Sequence, residues 1–258
     1  MNNKNTANSS QETAVALPKV VLVTGAARRI GAEIATMLHR SGYLVIIHYH
    51  HSSTDAETLA NSLNAKRADS AFTISSDLGT EVGCEELITK TLAIKGRLDA
   101  LINNASVFYP TAVDAVSPEQ WQQIFNTNLR APFILSQKAA HALNESSGSI
   151  INITDIHGSR PLEGYSVYSM SKAGLISMTQ SLAKELAPEV RVNSVSPGAI
   201  LWPENETDDE AHQEILSRIP LNRLGAAENI AQTVLFLLQN NYITGQTINV
   251  DGGRSLSQ

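Results

Sequence analysis

The stretch 20-VVLVTGAARRIGAEIATMLHRSG-42 decides how the rest of the chain is read. Four apolar, mostly β-branched residues form a strand with no polar alternation, so the strand is covered on both faces. Gly25 then opens a tight turn, and from Gly31 the apolar residues return at helical spacing up to Gly42, which suits a C-cap. A buried strand running through a glycine turn into a helix is the first half of a parallel β–α–β unit.

The same alternation recurs along the chain. Strands are expected at 43–50, 71–76, 97–105, 148–154, 190–198 and 246–253, and helices at 55–65, 81–95, 117–144, 167–187 and 227–239. Apolar strands separated by helices give an α/β fold, a doubly wound parallel sheet with helices on both faces. No internal repeat or interior linker divides it, so residues 19–258 are read as one domain, preceded by a flexible Asn/Ser/Thr-rich tail at 1–18. The segment 199–226 breaks the alternation just past a strand's carboxyl end, where such folds bind ligands. It is either a lid over a substrate pocket, with Leu201 and Trp202 as its apolar contacts, or an acidic solvated loop.

Composition narrows the function. A net charge of −6 over 258 residues disfavours a nucleic-acid or anionic-membrane partner. No apolar run is long enough to span a bilayer, and a single cysteine, Cys84, suits a reducing cytoplasm. Cys84 lies among acidic residues and is read as an inert thiol.

The turn 24-TGAARRIG-31 puts a helix N-terminus, with its free N–H groups, directly after a strand, which is where a dinucleotide pyrophosphate binds. An Asp or Glu is expected some 20 residues later to hold the ribose hydroxyls. The second strand ends instead in 48-HYHHSS-53, with imidazoles and hydroxyls and no carboxylate. His50, His51 and Ser52 can bond a 2′-phosphate there, which favours NADPH over NADH. Solvated histidines are the alternative, and a metal site built on His48, His50 and His51 lacks a carboxylate or thiolate to complete it. Asp77 is placed to accept from an adenine amino group, and 103-NNAS-106 ends a strand where backbone passes close to a ribose.

In 150-IINITDIHGSRPLEGYSVYSMSK-172, Tyr168 and Lys172 stand four residues apart on one helix face. An ammonium beside the phenol is expected to ease its ionisation and make it a proton donor. Asp155, at the end of the preceding strand, points to the same site or caps a helix.

These motifs occur in the order of the short-chain dehydrogenase/reductase family, which the chain resembles from 19 to 254 and which has a Rossmann-type sheet. The resemblance rests on TGxxxRIG at 24–31, Asp77-Leu78, NNA at 103–105, Asn128, YxxxK at 168–172 and Pro197-Gly198. It implies that Gly25, Arg28, Arg29, Ile30, Gly31, Asp77, Leu78, Asn104, Ala105, Ser106, Tyr168, Lys172, Pro197 and Gly198 lie along the cofactor. Asn128, Tyr168 and Lys172 would be catalytic. Where the family has a catalytic serine, position 155 is aspartate, and where its first motif has a glycine, position 29 is arginine. With HYHHS and 103-NNASVFYPT-111, those departures resemble the pteridine reductase branch and the bacterial dihydromonapterin/dihydrofolate reductases.

That branch implies an NADPH-dependent reduction of a C=N bond in a dihydropterin: dihydrobiopterin, dihydromonapterin, dihydrofolate or an oxidised pterin. Phe108 would stack on the pterin, Arg29 would lie near the pyrophosphate and the pterin, Ser106 would hydrogen-bond the cofactor or the pterin, and Asp155 with Tyr168 would govern its proton. A carbonyl or quinone reductase of the same family is the alternative. The family is usually tetrameric, and Ala139, Ala140, Leu175 and Met178 are either a subunit contact or core.

Overall fold

The computed structural model describes residues 18–201 and 209–256. The expected tail, apart from Pro18, and Trp202 fall outside them. Seven strands form one parallel sheet: β1 (Val20–Val23), β2 (Leu44–Tyr49), β3 (Ala71–Ser75), β4 (Ala100–Asn103), β5 (Ser149–Ile153), β6 (Arg191–Pro197) and β7 (Thr247–Val250). Their order is β3-β2-β1-β4-β5-β6-β7, so the winding reverses between β1 and β4. The helices are α1 (Arg29–Arg40), α2 (Ser53–Asn64), α3 (Glu81–Lys95), α4 (Pro118–Phe125), α5 (Ala131–Glu145), α6 (Ser166–Glu185), α7 (Asp209–Ser217) and α8 (Ala227–Gln239).

Period-two alternation splits each strand between two cores. Val20 and Leu22 pack with Leu87, Leu135 and Leu175 under α3, α5 and α6, whereas Val21 and Val23 pack with Ile34, Leu63 and Val234 under α1, α2 and α8. Both faces are therefore dry, which is why the strands read as unbroken apolar runs. Full burial of one such side chain stabilises the fold by about 1.5–3 kcal/mol.

The expected helix 117–144 is interrupted. A π-helical turn at Asn126–Arg130 separates α4 from α5 and carries the buried Asn128. Pro132, in the first turn of α5, has no N–H to give to the carbonyl four residues back, so the regular ladder cannot run through this point.

In the 199–226 segment, α7 leads into Ile219–Leu221, where the Leu221 N–H donates to the Gly252 carbonyl at 3.1 Å. Ala139, Leu175 and Met178 are buried within the chain, which settles them as core. Ala140 is half-buried, and the apolar side chains exposed on α4, α5 and α6 are Trp121, Phe133 and Met170.

Candidate active site

The register places Val23 beside Ile47 on one side and Ile102 on the other, so three strand ends emerge together at the reversal point. Gly25 turns there with φ +60°, and a Cβ on it would lie 2.9 Å from the Ala105 Cα. A Cβ on Gly31 would strike the Gly25 carbonyl and approach the Asn104 amide to 2.6 Å. Both positions need glycine for space, and Gly25 also for its angles. Thr24 ties the strand ends: its hydroxyl accepts from the Asn104 and Ala105 N–H groups at 2.9 and 3.0 Å. The Asn104 side chain returns two bonds, to the Thr24 and Gly25 carbonyls, so it fastens the turn.

His48, which fits neither the solvated nor the metal-ligand reading, holds the same turn. It is 2% exposed, its Nδ1 accepts from the Gly25 N–H at 3.0 Å, and its Nε2 faces the Ser76 carbonyl at 3.1 Å. Those partners require the neutral Nε2–H tautomer. Burial is the main reason its pKa falls from 6.5 to about 4. Among the described residues no group of three or more His, Cys, Asp or Glu could hold a metal ion.

A cavity of about 860 Å³ opens outside these strand ends. Its floor is Gly25, Arg28, Arg29, Ile30 and Gly31, and its walls include His50, His51, Asp77, Leu78, Asn104, Ala105 and Ser106. The residues suit a dinucleotide. The N-cap of α1, Arg28, makes no side-chain cap bond and the first turn has no acidic residue, so the helix's free N–H groups face the cavity without a competing anion. Arg29 is held at φ +53°, where most side chains are disfavoured by about 1–2 kcal/mol, at the position where the family resemblance expects glycine.

Of the residues expected along the cofactor, Ser52, Tyr168, Lys172, Pro197 and Gly198 do not line the cavity. Ser52 is the residue before α2, while Pro197 ends β6 and Gly198 N–H donates to the Val250 carbonyl at 3.1 Å. The absence of a carboxylate from 48–53 is only part of the electrostatics, because the fold brings in two from elsewhere. Asp55 accepts from the Arg28 Nε at 2.6 Å, and Asp77 lies 4.0 Å from the His50 Nε2. Each is matched by a basic group.

The chemistry-bearing cluster sits beyond β5. Asp155 performs both roles open to it: Oδ1 accepts from the His157 N–H at 2.8 Å, capping a short 3-10 turn, and Oδ2 accepts from the Tyr168 hydroxyl at 2.8 Å. Lys172 is fully enclosed, with Nζ donating to the Ile153 carbonyl at 3.0 Å and standing 5.7 Å from the Tyr168 ring centre. Burial lowers its pKa to about 8, against the pull of Asp155.

The expected easing of Tyr168 ionisation does not hold. Burial first, then the Asp155 charge and hydrogen bond, drive its pKa well above the usual range, so the phenol keeps its proton. Asn128 completes the cluster without touching it directly. Its Oδ1 accepts from the Val107 N–H at 2.9 Å and the Ser106 hydroxyl at 3.2 Å, and its Nδ2 donates to the Val107 carbonyl at 3.0 Å.

Phe108 is 52% exposed, so it is no core aromatic. It stacks on Tyr165 at 4.5 Å and meets the Tyr168 ring edge-on at 4.7 Å, forming an apolar wall over the Asp155–Tyr168 pair. Leu201 is exposed at 41%. Cys84 is buried, and burial more than its acidic neighbours raises its thiol to about 11.

Sequence reading missed Thr24 and Tyr165. Thr24 was visible as the first residue of the turn motif, and Tyr165 stands three positions before Tyr168, but its stacking on Phe108 depends on how the two loops pack. Fold and site together define a dinucleotide-dependent oxidoreductase. Residues 25–255 match the family described as enoyl-(acyl carrier protein) reductase. The chain is 37% identical to pteridine reductase 1 of Leishmania tarentolae over 93% of its own length and 97% of the relative's. It is also 37% identical to the 3-oxoacyl-(acyl-carrier-protein) reductase of Staphylococcus aureus, over 92% and 98% of the two chains. A reductase described in the same words from Synechocystis is 38% identical over 91% and 96%. The chain belongs to the short-chain dehydrogenase/reductase family.

Proposed function

We propose that this reductase uses NADPH to reduce the C=N bond of a dihydropterin. The observation that carries this reading is the 2.8 Å bond from the Tyr168 hydroxyl to the Asp155 carboxylate. A ketone's oxygen gains negative charge during reduction and needs donors around it, so a carboxylate at that point opposes the reaction. A pterin presents a ring nitrogen that must gain a proton and an amino-pyrimidine edge rich in donors, and a carboxylate suits both.

A bound nicotinamide coenzyme supplies the hydride to the ring carbon. The Tyr168 hydroxyl, held by the Asp155 carboxylate, gives its proton to the neighbouring nitrogen and recovers one from solvent by way of the half-buried Asp155. Lys172 offsets the negative charge left on the pair. Phe108 and Tyr165 present an aromatic face against which a flat ring stacks and from which water is excluded. The Arg28 guanidinium and the ring nitrogens of His50 and His51 supply hydrogen-bonding groups for a 2′-phosphate, which supports NADPH over NADH.

The test is NADPH oxidation with dihydrobiopterin, dihydrofolate and a 3-oxoacyl thioester in parallel, for the native protein and Asp155→Ser. Turnover of a dihydropterin that falls at least 100-fold in Asp155→Ser is expected. Turnover of the thioester alone would replace this reading with the carbonyl reductase, to which the acyl-carrier-protein reductases are equally similar.

A further inference from the structure

Among the described residues, Arg254 makes no hydrogen bond or ion pair through its guanidinium. It follows 251-DGG-253 in the 3-10 turn Arg254–Leu256, directly beyond β7, and is partly buried. Its nearest carboxylate in sequence is already committed: Asp251 accepts from the Gly253 N–H at 2.9 Å and the Ser255 N–H at 2.7 Å.

The turn is fixed in place. Gly252 and Gly253 have φ of +64° and +86°, and a Cβ on either would lie 2.8 Å from Ile219 or 2.9 Å from Pro220. That packing brings Arg218 beside Arg254, and Arg218 is itself paired to Glu214 at 2.5 Å on the solvent side. Only β6 separates β7 from β5, so the two strand ends are about 10 Å apart. Arg254 follows four residues after the end of β7 and lies within the field of the Asp155 charge. Burial lowers the Arg254 pKa; Asp155 and, less, Asp251 oppose the shift and Arg218 adds to it.

A half-buried guanidinium that hydrogen-bonds to no carboxylate among the described residues, in a chain of net charge −6, is suited to an anion brought by a ligand. We propose that Arg254, supported by Arg218, is a specificity-determining residue that binds a carboxylate on the substrate's tail, so that dihydrofolate is preferred to a dihydropterin with a neutral side chain. The proposal rests on the pterin reading of the site and names the substrate class within it.

The experiment separates binding from chemistry. Protein loaded with NADP+, which has no hydride to give, is titrated by calorimetry with dihydrofolate and with dihydrobiopterin. Native protein is expected to hold dihydrofolate at least tenfold more tightly. In Arg254→Gln that preference disappears, with dihydrofolate weakened about tenfold and dihydrobiopterin changed less than twofold, and Arg254→Lys restores most of it. Thermal melting of both variants shows that they are folded. Equal affinity of the native protein for the two compounds, equal losses in Arg254→Gln, or no binding of dihydrofolate at all overturns the assignment. Reduction when NADPH replaces NADP+ is read separately. If a bound dihydropterin is not reduced, the proposed function falls, while the role of Arg254 stands or falls on the titration.

Discussion

Tyr168 and Lys172 show how far residue spacing determines chemistry. Four-residue spacing puts them on one helix face, but what each proton does depends on Asp155, thirteen positions away, and on burial. With its pKa lowered to about 8, Lys172 is cationic at neutral pH and loses that charge as pH rises through about 8. The expected consequence is a fall in kcat/KM for the dihydropterin above pH 8, with an apparent pKa near that value in a steady-state pH profile. In Lys172→Arg the limb should disappear, because a guanidinium keeps its charge throughout the range. A profile unchanged by this substitution would assign the limb to another group. Asp155 was legible as a departure from the family pattern and as a cap, whereas its bond to Tyr168 was not, since that depends on where α6 lies against β5.

At the scale of elements, the end of β2 and the turn before α1 form one unit. His48 sits in the last part of a strand and holds the Gly25 amide across 23 positions of sequence. Its folded pKa of about 4 lies below the ordinary 6.5, so the unfolded chain takes up a proton first as pH falls. The stability that His48 contributes is complete above pH 6.5 and is lost as pH falls toward 4, by at most about 3 kcal/mol. Thermal melts from pH 7.5 to 4 are expected to show that decline, and His48→Gln to be less stable at pH 7.5 with a shallower decline. The π turn at Asn126–Arg130 is the other element-scale device. Helical periodicity reads straight through it, but Pro132 interrupts the ladder there and the turn carries Asn128, whose side chain bonds Val107 through both its oxygen and its nitrogen.

For the whole molecule, the reversal of strand order between β1 and β4 gathers residues from five loops at one edge of the sheet. Among the described residues no helix is long and apolar enough to cross a membrane. Exposed aromatics remain on the outer side of α4 and α5, where Trp121 stacks on Phe125 at 4.6 Å and Phe133 is 46% exposed. These, and not the buried Ala139, Leu175 and Met178, are the apolar surface available for the expected homotetramer. Light scattering should give the mass of four chains for the native protein and a smaller assembly for Phe133→Ser. A native monomer would show that this surface has another use.

The sequence by itself determined the element order, the single sheet, the glycine turn and the catalytic candidates. Those features are local: apolar periodicity, glycine backbone freedom and helical spacing act over a few residues, and every strand that these patterns predict is present within a few positions. Only the tertiary structure decided which groups are buried, which carboxylates face which cations, and which loops meet. His48 became a latch, Tyr168 kept its proton, and Arg254 came within the field of Asp155 across about a hundred intervening residues. Desolvation and long-range charge are properties of the packed interior, and no short window of sequence contains them.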